Sequence, residues 1–420
     1  MGSRKLSPTR SRSRFTLGVL AVLLGCIGAY AETPAPALRI LGRTSLPPGH
    51  SVAKDIRWAG DNSVYVVRAL DGVFEVVLDG TLRKRLVPAV ETFGAIQHYD
   101  RLAVSDKILA VASRDWSLAW RPRESRPDRT FVLENKPIAL TEDMDIQGDR
   151  YLLFGLPKDH EFGSDGAIVW VGTLSSGLKD LKPVLFDQGG PGVPNFAPCR
   201  GVGLGVARFL GDGSFLVVPG FEKGVLLFTA DGHRARSWKS EEIGLDSDCS
   251  GLGEQEKKDL RKKPEVWQRW LNRHRTVDDV LSLPQGPGLL VRSWEKDGAV
   301  RWQLKVLTPT RVETYSIPIE GRRPTDRLRG DVRNGRIALL LSASGFIGWY
   351  QESDPQGEVV LAEVPNPGFR KLPDRFRKLP DRFPKLPDRF RKHPDRFRKL
   401  PDRFRKLLDG FRKLPESLRP

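Results

Sequence analysis

The sequence lacks the short motifs that usually reveal catalysis or cofactor binding. It contains no G-x-S-x-G elbow, no H-E-x-x-H helix and no Walker loop. The glycine-rich "GVGLGV" at 201–206 has Val206 where a dinucleotide fingerprint needs its third glycine, and no helical pattern follows it, which favours a loop. Histidines are few and form no close ligand pair; they occupy positions 50, 98, 160, 233, 274 and 393. Motifs alone therefore identify neither a reaction nor a cofactor.

The body of the chain also lacks net charge. The whole sequence carries +17, but residues 1–14 contribute five basic residues and no acid, and residues 369–420 contribute 19 Lys/Arg against 7 Asp/Glu. That leaves 45 basic and 45 acidic residues in 15–368. The high overall charge is therefore poor evidence for a nucleic-acid-binding fold, and we expect no specific nucleic-acid partner.

The N-terminus has the pattern of an export signal. After Arg14 comes the apolar stretch "FTLGVLAVLLGCIGAYA", in which Ala29 and Ala31 fit an A-x-A cleavage site. We expect residues 1–31 to be removed and the mature protein to be periplasmic or extracellular. Two alternatives stay open: residues 15–31 are retained as a short membrane anchor, or "LLGC" is a lipoprotein box with Cys26 as the acylated residue.

Removal of the signal leaves two cysteines, Cys199 and Cys249. Both lie in Gly-rich contexts, "PCRGVGLG" and "DCSGLG". An even pair in an exported chain favours a disulfide; the alternative is two unrelated buried thiols.

Long helical patterns are nearly absent. From about 36 to 365 the chain shows short apolar runs such as "SVYVVRAL" and "SFLVVPG", separated by turn signals at 60–62, 78–80, 211–213, 230–232 and 296–298. The only convincing amphipathic helix lies near 264–274, beginning at Pro264. Strands do not alternate with long helices, so the body is all-β.

The strands fall into six groups, near 55–88, 97–133, 143–187, 204–240, 277–318 and 328–364. Each group has room for four strands and cannot bury both faces alone, which predicts a β-propeller of six or seven four-stranded blades spanning 32–366. We expect the strand at 37–46 to complete the last blade and close the ring. An open β-sandwich pair is the alternative.

Three stretches carry a family resemblance. "GVLLFTADGHRARSW" at 224–238, the strand pair "VARFLGDGSFLVV" before it, and "GVFEVVLDGTLRKRLV" at 72–87 resemble the strand–turn–strand signature of NHL-type six-bladed propellers. The resemblance extends over the body in rhythm and only over these stretches in detail.

Two insertions break the rhythm, at 188–203 and 240–275, and each contains one cysteine. Large loops on a rigid scaffold often carry binding sites. We therefore expect a monomeric binding or scaffold module whose loop face takes a protein or glycan. The alternative is a propeller hydrolase or lactonase with a metal in its central pocket, for which Asp143, Asp145 and Asp278 are candidate inward-facing acids.

One acidic stretch suggests calcium. "DSDCSGLGE" places Asp246, Asp248 and Ser250 at alternate positions, with Glu254 ninth, a pattern similar to short calcium loops. Lys257 stands where an EF-hand needs its last acid, so a solvated acidic turn is the competing interpretation. Calcium is the only cofactor that the sequence suggests.

The tail, residues 367–420, repeats Phe-Arg-Lys-Leu-Pro-Asp-Arg with a period of seven. A coiled coil is opposed by proline at 373, 380, 387, 394 and 401, because each internal proline costs a helix about 3 kcal/mol. We expect disorder. The tail binds an anionic membrane or polymer surface, binds nucleic acid non-specifically, or is a neutral product of tandem duplication.

Overall fold

The computed structural model describes the parts of the chain on which the following account rests. These are residues 35–47, 51–79, 81–88, 99–112, 118–123, 131–133, 138–157, 167–174, 180–186, 205–219, 224–245, 255, 266, 269, 273–323, 326–343 and 357–365. All of them belong to one unit, Met1–Pro365. The predicted signal segment and the repeat tail lie outside the described residues. Within the described segments, no helix is both long enough and apolar enough to cross a bilayer.

The described chain forms six four-stranded antiparallel sheets. Blade 1 contains β2 (Ala53–Trp58), β3 (Ser63–Arg68), β4 (Gly72–Val77) and β5 (Leu82–Pro88). Blade 2 contains β6 (Arg101–Val104), β7 (Ile108–Ala112), β8 (Leu118–Pro122) and β9 (Phe131–Leu133). Blade 3 contains β10 (Ile138–Gln147), β11 (Arg150–Pro157), β12 (Ala167–Thr173) and β13 (Lys182–Phe186).

Blade 4 contains β14 (Val206–Phe209), β15 (Phe215–Val218), β16 (Val225–Phe228) and β17 (Arg234–Trp238). Blade 5 contains β18 (Thr276–Leu283), β19 (Gly286–Trp294), β20 (Val300–Leu307) and β21 (Val312–Gly321). Blade 6 contains β22 (Asp326–Arg333), β23 (Arg336–Ala343), β24 (Glu358–Glu363) and, from the start of the chain, β1 (Arg39–Ser45). The predicted all-β propeller is confirmed, and it has six blades rather than seven.

The first strand of each blade is the innermost. Each of β2, β6, β10, β14, β18 and β22 contacts the first strands of both neighbouring blades, so these six strands form a closed ring around an axis. The middle strands are buried on both faces because blades pack against one another, which explains continuous apolar runs such as β7 and β15. In blade 4 the rings of Phe215 and Phe228 stack with centroids 5.0 Å apart.

The first described residues close the ring. β1 pairs antiparallel with β24, as the sequence predicts. Just before β1, the N–H of Leu38 donates to the carbonyl of Ser316 at 2.9 Å, and the N–H of Ser316 donates to the carbonyl of Pro36 at 2.9 Å. The N-terminal strand therefore joins blade 6 and also borders the outer strand of blade 5, leaving no open break in the ring.

Asp-Gly turns connect the strands as predicted. In the turn at 296–298, the carboxylate of Asp297 accepts the N–H of Ala299 at 2.9 Å, and Gly298 takes φ of 83°. Gly213 and Gly232 take similar values, 85° and 89°, in the left-handed region that favours glycine.

The two insertions are only partly described. A short helix, α1 (Ser240–Ile243), follows β17. Within the predicted helix near 264–274, Val266 and Arg269 have helical conformation, whereas Arg273 and His274 do not. The other positions of that helix lie outside the described residues, as does the insertion at 188–203. The helix stays a prediction.

Gly224 offers a test of this packing. It begins the stretch that resembles the NHL signature, has φ of 137°, and a Cβ there would lie 2.1 Å from the backbone oxygen of Trp238. We expect Gly224→Ala to lower the free energy of unfolding by roughly 3 kcal/mol, from backbone strain and this clash, as measured by urea denaturation. The control is Gly211→Ala, where a Cβ meets nothing within 4 Å and the expected change is within about 0.5 kcal/mol. Equal effects would contradict the fold at this junction.

Candidate functional site

The antiparallel blades give the propeller two different faces. Turns between first and second strands and between third and fourth strands lie on one face, which we call the turn face. Connections between second and third strands and between successive blades lie on the other, the loop face. The long connections between Phe186 and Val206 and between Trp238 and Thr276 both join blades, so both start and end on the loop face.

Charged side chains line the axis. They come from the six innermost strands, which otherwise resemble ordinary short apolar strands. The set is Asp55, Arg57, Arg101, Asp143, Asp145, Arg208, Asp278, Asp279, Arg327, Arg329 and Asp331. Asp55, Asp143 and Asp279 are 0% exposed, and Arg57, Arg208 and Arg329 are 2–4% exposed. Charges are rarely buried this fully unless they are paired.

β-bulges place three of these acids. In blades 1, 3 and 5 the innermost strand carries an extra residue relative to its neighbour at Lys54, Glu142 and Asp278, and blade 3 has a second one at Ala139. The residue after each bulge is an aspartate: Asp55, Asp143 and Asp279. A bulge redirects side chains locally, and here the same device occurs in every second blade.

The axial aspartates bind the next blade. Each accepts a backbone N–H from the innermost strand that follows it around the ring. The donors are Leu102 to Asp55 at 3.0 Å, Ala207 to Asp143 at 3.1 Å, Phe209 to Asp145 at 2.9 Å, Leu328 to Asp278 at 3.0 Å, Gly330 to Asp279 at 2.9 Å, and Trp58 to Asp331 at 2.8 Å. Arginines bridge the two remaining junctions: Arg101 donates to the backbone oxygen of Glu142, and Arg208 donates to Asp279.

Four side chains alternate in charge at the centre. Arg208 Nη2 lies 2.6 Å from Asp279 Oδ1 and 3.9 Å from Asp143 Oδ2. Arg329 Nη1 lies 3.7 Å from Asp279 Oδ1 and 3.9 Å from Asp143 Oδ1. Asp143 in blade 3 and Arg329 in blade 6 come from opposite sides of the ring, so the quartet spans the axis.

The carboxylates differ in pKa because their distances to arginine differ. Burial raises the pKa of Asp279, but Arg208 and Arg329 outweigh it and bring the pKa down to about 2. Burial raises the pKa of Asp145 to about 6, only partly offset by Arg208 at 3.7 Å and by Arg57. Burial likewise raises the pKa of Asp143. Desolvation and charge pairing therefore act in opposition at one centre.

The candidate catalytic acids are part of this network. Asp143, Asp145 and Asp278 do lie on innermost strands, as the enzyme hypothesis requires. Each is at most 7% exposed and accepts a backbone N–H of the next blade, and Asp278 also accepts the indole N–H of Trp302 at 2.7 Å. Among the described residues, no group of three His, Cys, Asp or Glu side chains is arranged to hold a metal. In this arrangement the three acids hold blades together.

The other predicted site residues lie outside the described chain. This applies to the disulfide partners Cys199 and Cys249, to the cleavage residues Ala29 and Ala31, and to the alternative lipidation residue Cys26. It applies equally to the calcium candidates Asp246, Asp248, Ser250 and Glu254. All of these stay predictions.

A cleft of 610 Å³ opens on the turn face where blades 4, 5 and 6 meet. Its walls are mainly apolar, and the guanidinium of Arg236 lies 4.5 Å from the ring centroid of Trp238. The other main lining residues are Leu210, Leu227, Leu283, Pro284, Gln285, Leu307 and Pro309. Its size suits a small ligand, but it is on the face opposite the long connections.

Comparison with known proteins gives only distant structural similarities. No protein-family model matches the chain, and no curated protein is similar to it. Among solved structures, the chain is similar to a chain of the mitotic checkpoint complex, with a TM-score of 0.42 and 9% identity over 75% of this chain and 77% of that one. The WD40 β-propeller domain of Doa1 gives a TM-score of 0.37 and 9% identity, over 78% of this chain and 98% of that one. YCF48 bound to D1 peptide gives a TM-score of 0.39 and 11% identity, over 79% of this chain and 98% of that one. Values this low say nothing about what this chain binds.

Sequence reasoning missed most of the axis. Asp55, Arg57, Arg208, Asp279 and Arg329 do not stand out in the sequence, because strands such as AKDIRW and DRLRGDVR contain several charges each. The signal that could have found them is their position: each lies in the first strand of its group.

The raised pKa of Asp145 gives a pH prediction. Its folded pKa of about 6 exceeds the ordinary 3.8, so its contribution to stability is present in acid and lost as pH rises through 6. Lowering the pH from 7 to 5 should therefore add on the order of 1 kcal/mol to the free energy of unfolding through this group. Asp145→Asn keeps an oxygen for the N–H of Phe209 and removes that increment, as measured by denaturant titration at both pH values.

The control is Asp297→Asn at the exposed turn. In this variant the free energy of unfolding should differ between pH 7 and pH 5 by the same amount as in the unmodified protein. An unchanged pH dependence in Asp145→Asn would show that this carboxyl titrates normally.

Proposed function

We propose that this protein is an exported binding or scaffold module that engages a protein or glycan through its loop face. One observation carries the proposal. Every blade-to-blade connection, including both long insertions, begins and ends on the loop face of a ring whose innermost strands are fixed by hydrogen bonds. A rigid support that presents variable loops on one side is the arrangement in which binding sites most often occur.

The charge network on the axis favours binding over catalysis. A central reaction site would need acids free to bind a metal or transfer a proton. In the described chain Asp143, Asp145 and Asp278 each give a carboxylate oxygen to a backbone N–H of the next blade instead, although the Oδ1 atoms of Asp143 and Asp278 make no hydrogen bond there. If these carboxylates bound a metal or a substrate instead, the hydrogen bonds that join neighbouring blades would be lost.

Kinship with NHL-type propellers, export through residues 1–31 and a Cys199–Cys249 disulfide belong to the same proposal. The kinship rests on the sequence of 72–87 and 206–238, and the export rests on the signal pattern. A disulfide would join the two loop-face insertions and make that face more rigid.

Site-specific photo-cross-linking in the native host tests the proposal. A benzophenone side chain is placed at Glu241 or Lys296, both exposed on the loop face, and at Gln285, exposed on the turn face. We expect the two loop-face positions to give the same discrete adduct and Gln285 to give none. Equal labelling from all three positions, or an adduct only from Gln285, would contradict the proposal.

A further inference from the structure

Arg327 stands at the loop-face end of the axis. Innermost strands run from the loop face to the turn face, and alternate residues of a strand point to the same side. Arg327, Arg329 and Asp331 of β22 therefore follow the axis in that order. Arg329 belongs to the central quartet, and Arg327 lies one layer above it, toward the loop face.

Arg327 has no partner of its own within the described chain. It is mostly buried, yet it makes no hydrogen bond and no ion pair with any described residue. Arg101, also near the loop-face end, donates from Nε to the backbone oxygen of Glu142 and from Nη1 to that of Asp100. Its Nη2 makes no hydrogen bond in the described segments. Two guanidinium groups, each with N–H donors that make no hydrogen bond in the described segments, therefore lie at the loop-face end of the axis, which we call the mouth.

The nearby acids compensate Arg327 only in part. Asp278 and Glu142 attract it, but neither makes a hydrogen bond or ion pair with it in the described chain: Asp278 Oδ2 accepts the N–H groups of Trp302 and Leu328, and Asp278 Oδ1 has no hydrogen-bond partner. Burial, together with the charges of Arg329 and Arg101, lowers the pKa of Arg327 to about 9 against the attraction of Asp278 and Glu142. A buried cation without a partner lowers the stability of the folded state. If the charge of Arg327 had no function, a neutral residue at this position would give a more stable fold.

We propose that the loop-face mouth of the axis is a carboxylate-binding site, formed by Arg327 with Arg101, for an acidic side chain or terminal carboxylate of the protein partner. A guanidinium binds a carboxylate through two parallel hydrogen bonds, and the desolvated mouth strengthens the attraction. Glu142 and Asp278 stand close by and penalise a dianion more than a single negative charge, which favours carboxylate over phosphate. The inference rests on the proposed loop-face function and specifies the chemistry of its partner.

Calorimetric titration of the full chain with N-acetylated tetraglutamate tests this site. We expect Arg327→Gln to weaken binding at least roughly tenfold and Arg327→Lys to keep part of the affinity. Arg311→Gln, an exposed arginine on the turn face, is the matched control and should bind as the unmodified protein does. The basic tail is present in every variant, so its non-specific contribution is the same in all of them.

Thermal unfolding separates binding from structure. Because Arg327 is buried without a partner, Arg327→Gln should unfold at the same temperature or higher. A lower unfolding temperature would assign Arg327 a structural role and overturn the proposal, and so would unchanged tetraglutamate affinity in a folded variant. Inorganic phosphate titrated in parallel should bind more weakly; tighter, Arg327-dependent phosphate binding would overturn the choice of carboxylate.

The two proposals fail separately. If Arg327→Gln leaves tetraglutamate binding intact while Glu241 and Lys296 still cross-link a partner, the carboxylate site is wrong and the loop-face function stands. If tetraglutamate binding requires Arg327 but neither loop-face position gives an adduct, the anion site stands and the proposed macromolecular function does not.

Discussion

Burial of opposite charges at one point on the axis is the constraint on which the ring depends. Six innermost strands converge there, and most of their charged side chains are removed from bulk water. Several of these charges find a counterpart on another blade. Arg208 meets Asp279 at 2.6 Å, and Arg329 of blade 6 reaches Asp143 of blade 3. Apolar packing between blades would tolerate small shifts, but a buried ion pair with its partner removed is costly, so the charges fix which blade faces which.

The same constraint separates the roles of the two faces. Carboxylates of the described axis hold neighbouring strands together, so this part of the molecule serves as structural support. The proposed binding function belongs to the loop face, where the long connections begin and end and where Arg327 makes no ion pair within the described residues. We propose that this charge, unlike those of the quartet, serves binding. The bulges at Lys54, Glu142 and Asp278 place the aspartates that follow them, Asp55, Asp143 and Asp279, on the axis.

Much of the fold follows from the sequence, and much of the site does not. Period-two apolar runs and Asp-Gly turns predict the six blades, and the strand at 37–46 predicts the closure of the ring. Both predictions are possible because each signal lies within a short stretch of sequence. The axial network could not be predicted in the same way. Arg208 and Asp279 are 71 positions apart, and only the closed ring shows that they meet. Asp143, Asp145 and Asp278 lie on innermost strands, as the sequence suggests, but alternation alone could not show that each accepts a backbone N–H of the next blade.

The most direct test compares two arginines that make equally short ion pairs in different surroundings. Arg208 lies 2.6 Å from Asp279 at the buried axis, and Arg301 lies 2.6 Å from Asp297 at an exposed turn. Chemical denaturation of Arg208→Met should show a loss of about 3–5 kcal/mol, because three desolvated carboxylates lose their cation. Arg301→Met should unfold at the same denaturant concentration as the unmodified protein, because solvent screens its pair. If Arg208→Met is no less stable than Arg301→Met, the axial charges do not hold the ring together.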